Sequence, residues 1–279
     1  MALARHNSTS ADKKNEEESS SVGVRPERRH KSNRAAHSIS IKRAIPFNRA
    51  NTRAPCTYVL FSYSVGYGTI AYNQVVQSKF DPTTQINPFR RHKQHPNPPF
   101  PELDPRVSKS RPARSLTQLS RLTVVLDKDN VIKSGTGFVS ANSSALQEYD
   151  LLSAMPLTET AFQHACITLS ELKPFSIDII TLDLAAAPRL PFHLKRSTIG
   201  AALANGVVFE ITYGAAVDPA NATGEARDVS TLRRNLFSGA RDLLRVTNGK
   251  GVIFSSGACA ALGLRAPYDV MNLYVIPGN

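Results

Sequence analysis

The chain has 279 residues, enough for one core of about 200–250 residues plus tails. Its hydrophobic fraction of 41% fits a globular protein, and no stretch approaches the roughly 18 apolar residues needed to cross a bilayer, which excludes a spanning helix. Lys and Arg number 34 against 22 Asp and Glu, a formal net charge of +12, so a polyanionic partner is expected, with nucleic acid ahead of membrane.

The excess is unevenly placed. Residues 1–120 carry 20 basic and 8 acidic side chains, whereas residues 121–279 carry 14 of each. Diffuse attraction to phosphate therefore belongs to the first part, and specific contacts belong to single arginines of the second. Cys56, Cys166 and Cys259 have no paired spacing and read as free thiols in a reducing compartment. No apolar signal core opens the chain, and Glu16-Glu17-Glu18 argues against an acid-poor transit peptide. A soluble intracellular protein is the expectation.

Residues 1–57 are rich in Ser, Arg, Lys and Asn without apolar periodicity, and read as a disordered basic tail. The cluster from Arg25 to Lys31 suits a nuclear-import signal or a merely solvated tail, and its composition does not choose. A folded domain is expected over 58–279. Strand-like residues begin at Tyr58, and Thr69–Tyr72 is the first clear strand. Eight prolines between residues 77 and 115 exclude a helix there. The segment reads as a long basic loop, with Arg90, Arg91, Lys93 and Arg111 as RNA-contact candidates.

Beyond it the pattern is regular. Leu122–Leu126 is a strand, Ser140–Tyr149 a short helix and Asp150–Met155 a strand closed by Pro156. Thr158-Glu159 opens a helix whose apolar positions 161, 162, 165, 166 and 169 recur at helical spacing. Ile177–Leu184 and Gly206–Tyr213 are strands, with a short helix at Ile199–Ala204 between them. Asp228 caps a helix that ends at Asn248-Gly249, and Gly251–Ser256 and Val270–Ile276 supply two more strands. Apolar strands alternating with amphipathic helices imply a parallel sheet covered on both faces. Spacing alone fits either a closed barrel or an open doubly wound sheet. No Gly-x-Gly-x-x-Gly follows a strand, which argues against a dinucleotide site.

In a parallel barrel, chemistry collects at the C-terminal strand ends. Those ends offer Asn73, Asp127, Asp183, Glu210, Ser255, Ser256 and Asn272. Such a set would suit a metal-assisted hydrolase, but a hydrogen-bonded polar plug is the plainer reading. The histidines decide between them: His6, His30 and His37 lie in the tail, His92 and His95 in the proline-rich loop, His164 on a helix and His193 in a loop. Ser255-Ser256-Gly257 lacks the leading glycine of a nucleophile elbow, and Cys166 lies on an apolar helix face. Neither a catalytic residue, a metal ligand nor a cofactor site is assigned. The remaining binding candidates are basic: Arg233, Arg234, Arg241 and Arg245 on one helix, Arg189, Lys195 and Arg196 in a loop, and Lys250 and Arg265.

These blocks resemble a known family. Gly66-Tyr67 with Ile70-Ala71-Tyr72-Asn73, Ser110-Arg111-Pro112 and Arg121-Leu122-Thr123 are similar to the first half of the p-thirty protein subunit of ribonuclease P and RNase MRP. Tyr149–Leu152, Thr158–Cys166, Asp178–Asp183 and Arg189–Arg196 continue the series in order, followed by Phe209–Tyr213, Arg233-Arg234-Asn235, Ser255–Ala258 and Leu264–Leu273. The resemblance implies a TIM-type (β/α) barrel related to metal-dependent phosphoesterases but without their histidine ligands. It implies a nuclear, nucleolar RNA-binding subunit whose partners are the ribonuclease P RNA, a small Pop-five-type protein and, through the holoenzyme, precursor tRNA. Removal of the tRNA 5′ leader would then be performed by the RNA. A free metal-dependent phosphoesterase on the same barrel is the alternative, resting on Asp183, Glu210 and Asn272. The family's opening strand and helix are not legible in residues 1–57, Val217–Ala226 lengthens a loop, and the chain stops at Asn279 before a closing helix, so a barrel incomplete at its first strand and last helix is expected.

Overall fold

The computed structural model describes residues 43–46, 53–77, 79–87, 89, 98–108, 115–126, 135–171, 173–223, 228–258 and 260–274, all within one compact unit spanning residues 37–279. Seven parallel strands follow one another in sequence order: β1 (Arg43–Pro46), β2 (Thr69–Gln77), β3 (Thr117–Leu126), β4 (Leu151–Pro156), β5 (Ile179–Leu182), β6 (Val208–Thr212) and β7 (Val252–Ser255). Every neighbouring pair is parallel. The sheet curls until β1 comes within 8 Å of β7 between Cα atoms. This is an incomplete TIM-type barrel, as expected: among the described residues no ladder joins β1 to β7, which leaves a seam between them.

Residues on both faces of the strands are buried, which is why they read as near-continuous apolar runs rather than an alternation. β3 is buried from Ser120 to Leu126 without a break, and β5 along its whole length. The outer face is covered by α1 (Arg53–Ser64), α2 (Ser143–Leu146), α3 (Glu159–His164, continuing as a π-helical turn over Ala165–Leu169), α4 (Arg196–Ala204), α5 (Gly214–Val217), α6 (Val229–Thr247) and α7 (Pro267–Tyr274). The apolar stripe read on α3 is the stripe that packs: Ala161, Phe162, Ala165, Cys166 and Leu169 are buried, and Phe162 stacks on Phe192 at 4.8 Å. On α6, Asp228 caps the first turn by accepting from Thr231 N at 2.9 Å, and Asn248 ends the helix in the left-handed conformation at φ 52°.

Three sequence expectations are corrected. Residues 43–46 form β1 and residue 53 opens α1, so ordered structure begins before residue 58. Tyr58–Ser64 is helical although its aromatic and β-branched residues suggested a strand. Burial of Tyr58, Val59 and Ser62 on one face of α1, with Tyr58 Oη donating to Ala258 O at 3.2 Å, outweighs that local preference. Val270 lies on α7 rather than opening a strand, because Pro267 is accommodated in the first turn of a helix, where its missing N–H costs nothing. Of the seven strands read between Thr69 and Ile276, six form, and β1 precedes them.

The described residues between β2 and β3 contain no helix in this parallel crossover. Phe80 and Phe89 take the place of a helix's apolar face, with Phe80 edge-on to Tyr149 at 6.3 Å and Phe89 edge-on to Tyr72 at 4.9 Å. Buried Asp104 then pins residues 98–108 to the start of β3. Its carboxylate accepts from Gln118 N at 2.9 Å and from Arg106 Nε at 3.0 Å and Nη2 at 2.9 Å. Burial alone would raise its pKa, but these bonds outweigh burial and hold it below the ordinary value. Arg106, read from sequence as part of a basic loop, is thus a structural tie that also reaches Asp150 at 3.6 Å.

Candidate nucleic-acid interface and the barrel interior

Parallel strands send alternate side chains inward, and here those of β3 to β6 converge on one guanidinium. Arg121, 2% exposed, donates from Nη1 to Glu210 Oε1 and from Nη2 to Glu210 Oε2, both at 2.7 Å. Its Nη2 also reaches Ser153 Oγ at 2.8 Å and Thr181 Oγ1 at 2.7 Å. Thr181 donates to Glu210 Oε2 at 2.7 Å, and Thr123 donates to Asn73 Oδ1 at 2.6 Å and approaches Ser153 Oγ at 3.2 Å. Burial would push the Glu210 carboxylate up, but the charge and hydrogen bonds of Arg121 hold it below its ordinary value. Ser255 adds support by proximity, though its Oγ, like Arg121 Nε, makes no hydrogen bond of good geometry among the described residues.

Of the strand-end side chains weighed from the sequence as a polar plug, Asn73 and Glu210 bond into this network, which is centred on Arg121. The side chains that suggested a hydrolase are engaged elsewhere. Glu210 is spent on Arg121. Asp183 lies just after β5, where it accepts from Ala186 N at 3.2 Å in its own loop and from Thr223 Oγ1 in the loop after β6. Asn272 is exposed on α7 rather than at a strand end, and Ser256 Oγ accepts from Ala258 N at 3.3 Å. Asp127 lies outside the described residues. Among the described residues no group of three or more His, Cys, Asp or Glu side chains converges as a metal site. Cys166 is buried, which pushes its thiol up to about 12 and leaves it an inert core residue.

The basic candidates separate by place. Arg90, Arg91, Lys93 and Arg111 lie outside the described residues. Arg189 is exposed in the loop after β5, and Arg196 is exposed at the start of α4. Lys195, beside it, is committed to Glu159 at 2.8 Å, and that bond holds the Glu159 carboxyl down. On α6, Arg234, Arg241 and Arg245 lie within about a tenth of a turn of one another, opposite the buried stripe of Leu232, Leu236, Ala240 and Leu243. Arg233 turns off that face, and its Nε donates to Ala216 O at 2.8 Å. Lys250 is exposed in the loop entering β7, at the other end of the barrel from the loops that follow the strands. Arg265 is exposed between β7 and α7 and donates from Nη1 to the carbonyls of Leu262 and Leu264, both at 3.0 Å.

Arg121 was quoted in the sequence only as part of a motif, and its role as the centre of the interior was missed. Its partners lie 32, 60 and 89 residues away, so no local spacing announces them.

Comparison with known proteins gives a consistent answer. The model of the family "RNase P subunit p30" matches residues 40–278. The chain is 31% identical over 214 residues to "Ribonuclease P protein subunit p30" of Mus musculus, covering 77% of this chain and 69% of the relative. It is 31% identical over 170 residues to "Probable ribonuclease P protein subunit 3" of Schizosaccharomyces pombe, covering 61% of this chain and 62% of the relative. It is 30% identical over 154 residues to "Ribonuclease P/MRP protein subunit RPP1" of Saccharomyces cerevisiae, covering 55% and 44%. A match over nearly the whole described barrel, in a chain whose strand order and motif series agree with it, shows that the chain belongs to the p30 family of ribonuclease P protein subunits.

Proposed function

We propose that this chain is a noncatalytic, RNA-binding protein subunit of ribonuclease P, and of RNase MRP, acting in the nucleus and nucleolus. In this reading it supports removal of the 5′ leader from precursor tRNA, and it assembles with the ribonuclease P RNA and a Pop-five-type protein. The observation that carries the proposal is the family match over residues 40–278. The barrel interior supports the noncatalytic part, because the buried carboxylate of Glu210 is neutralised by Arg121 and bonded by Thr181. No observation favours the free phosphoesterase. Recovery of a tagged copy from cells should bring down the ribonuclease P RNA together with precursor-tRNA cleavage, enriched in a nucleolar fraction. Recovery of neither the RNA nor the cleavage would overturn the reading.

A further inference from the structure

Residues 121–279 carry equal numbers of basic and acidic side chains, so a group of unneutralised charges on this domain is a local departure rather than part of a general excess. Helix α6 holds one. Val229–Thr247 contains four arginines and a single acidic residue, Asp242. Arg234, Arg241 and Arg245 are exposed, and among the described residues none of the three forms an ion pair or a side-chain hydrogen bond. Other basic side chains of the barrel are neutralised: Lys195 by Glu159, Arg106 by Asp104 and Arg121 by Glu210.

Because these three arginines share one regular helix, their relation to one another follows from its geometry. They form a straight row, with steps of about 10 Å and about 6 Å along the axis. Exposed Ser238 lies between the first two, and exposed Ser230 and Asn248 extend the row at its ends. Asp242 is turned about a quarter of the way round the helix from this row. Asp228 is about a third of a turn away, and its carboxylate is bonded by Thr231 N and Oγ1. The row therefore reads Ser, Arg, Ser, Arg, Arg, Asn, without a carboxylate or an apolar side chain. Its mount is stiff. The opposite face is buried through Leu232, Leu236, Ala240 and Leu243, and Asn235 Nδ2 donates to Ala185 O at 3.2 Å. Gly239 brings the helix so near the loop after β5 that an added Cβ would lie 3.0 Å from the Leu184 side chain.

We propose that the outward face of α6 is a docking track for one strand of RNA backbone, with Arg234, Arg241 and Arg245 on phosphates and the Ser238 hydroxyl between them. Guanidinium, hydroxyl and amide groups are the side chains that bond phosphate oxygens, and here they stand in line with no acid to repel the strand. Donors placed about one helical turn apart suit a polymer whose negative charges recur at short, regular steps. A protein partner would need an apolar or aromatic centre at the contact, and the row offers none. This assignment rests on the proposed RNA-binding role and names the surface that performs it.

The test uses the full chain, with ribonuclease P RNA and a single-stranded RNA of random sequence as probes, over a range of salt concentrations. The triple variant Arg234→Gln, Arg241→Gln, Arg245→Gln should bind both RNAs more than about tenfold more weakly, since even one charged hydrogen-bonded contact is worth that much. Both RNAs should suffer alike, because backbone contacts carry no sequence preference. The slope of log affinity against log salt should flatten by about 2, three contacts at about 0.7 each on a single strand. Ser238→Glu keeps every arginine but sets a carboxylate in the row, and should weaken binding about as much as replacing one arginine. A reference variant, Arg189→Gln, Arg196→Gln, Lys250→Gln, removes three exposed charges from scattered places and should lose far less affinity. Wild-type chain that binds neither RNA would overturn the RNA-binding role itself. Wild-type binding with an α6 triple variant of unchanged affinity and slope would overturn the track alone, as would equal losses from the two triple variants. So would unchanged RNA affinity accompanied by loss of a protein subunit from the recovered complex, which would give this face to a protein partner.

Discussion

The interior of the barrel and its rim both depend on arginine, and the contrast between them separates what holds the fold from what is offered to a partner. Inside, the buried Arg121 makes four short contacts to side chains on three other strands. A charge so placed is tolerable because Glu210 neutralises it and the hydroxyls of Ser153 and Thr181 engage Nη2. At the rim, Arg233 and Arg265 are held by carbonyls, keep their charge and face solvent. The same side chain is neutralised when its partner is a carboxylate and keeps its charge when its partner is a carbonyl.

The strongest way to break this contrast is at Arg121. Arg121→Ala should cost about 3–5 kcal/mol of stability, because it strands the buried Glu210 charge. Arg121→Met combined with Glu210→Leu should recover most of that loss, since replacing both charges with apolar groups removes the desolvation penalty together with the attraction. Urea unfolding of the two variants decides the point: equal losses would mean that the pair is not a mutually dependent unit.

Next in size is Asp104. Asp104→Ala leaves the buried Gln118 N–H and Arg106 without their acceptor, and should cost about 2–3 kcal/mol by thermal melting. Protease cleavage within residues 98–108 should also accelerate. Gly214→Ala should cost about 1–3 kcal/mol through overlap with the Ser256 carbonyl.

Acid gives a subtler test. Glu210 and Asp104 both sit below their ordinary values of 4.5 and 3.8 in the folded chain. The unfolded chain therefore binds more protons as pH falls, and the stability these groups contribute is full above those ordinary values and is lost as pH drops through the lower folded ones. Melting temperature should fall steeply below about pH 4, and the Arg121→Met, Glu210→Leu variant should show the shallower fall. Smallest of all is Lys195→Ala, whose exposed pair with Glu159 should leave the melting temperature unchanged within error.

Much of the fold was legible because burial on both faces leaves a plain trace in sequence. β4, β5, β6 and β7, the stripe of α3 and the caps of α6 all follow from apolar runs and terminal residues. What failed to show was short or set by tertiary packing. β1 has four residues, beside prolines and basic side chains, and is recognisable only through its ladder with β2. Tyr58–Ser64 and Val270–Tyr274 have strand-like composition, yet both are helical. In the candidate site, sequence could nominate basic residues but could not tell committed charges from free ones. That distinction needs the position of Glu159 beside Lys195, 36 residues away, and of Ala216 beside Arg233.

The interior pair also bears on how long the barrel survives once formed. Arg121 is satisfied only when β3, β4, β5 and β6 are all assembled in register, since its partners are drawn from each of the other three. A slip of one residue in any of these strands would turn a partner outward and leave a lone charge inside. Contacts of such long sequence separation form late on the folding path, so their free energy falls mainly on the return journey: it slows escape from the native state more than it hastens arrival. The interior pair is thus expected to act as a clock, setting how long the barrel keeps its shape.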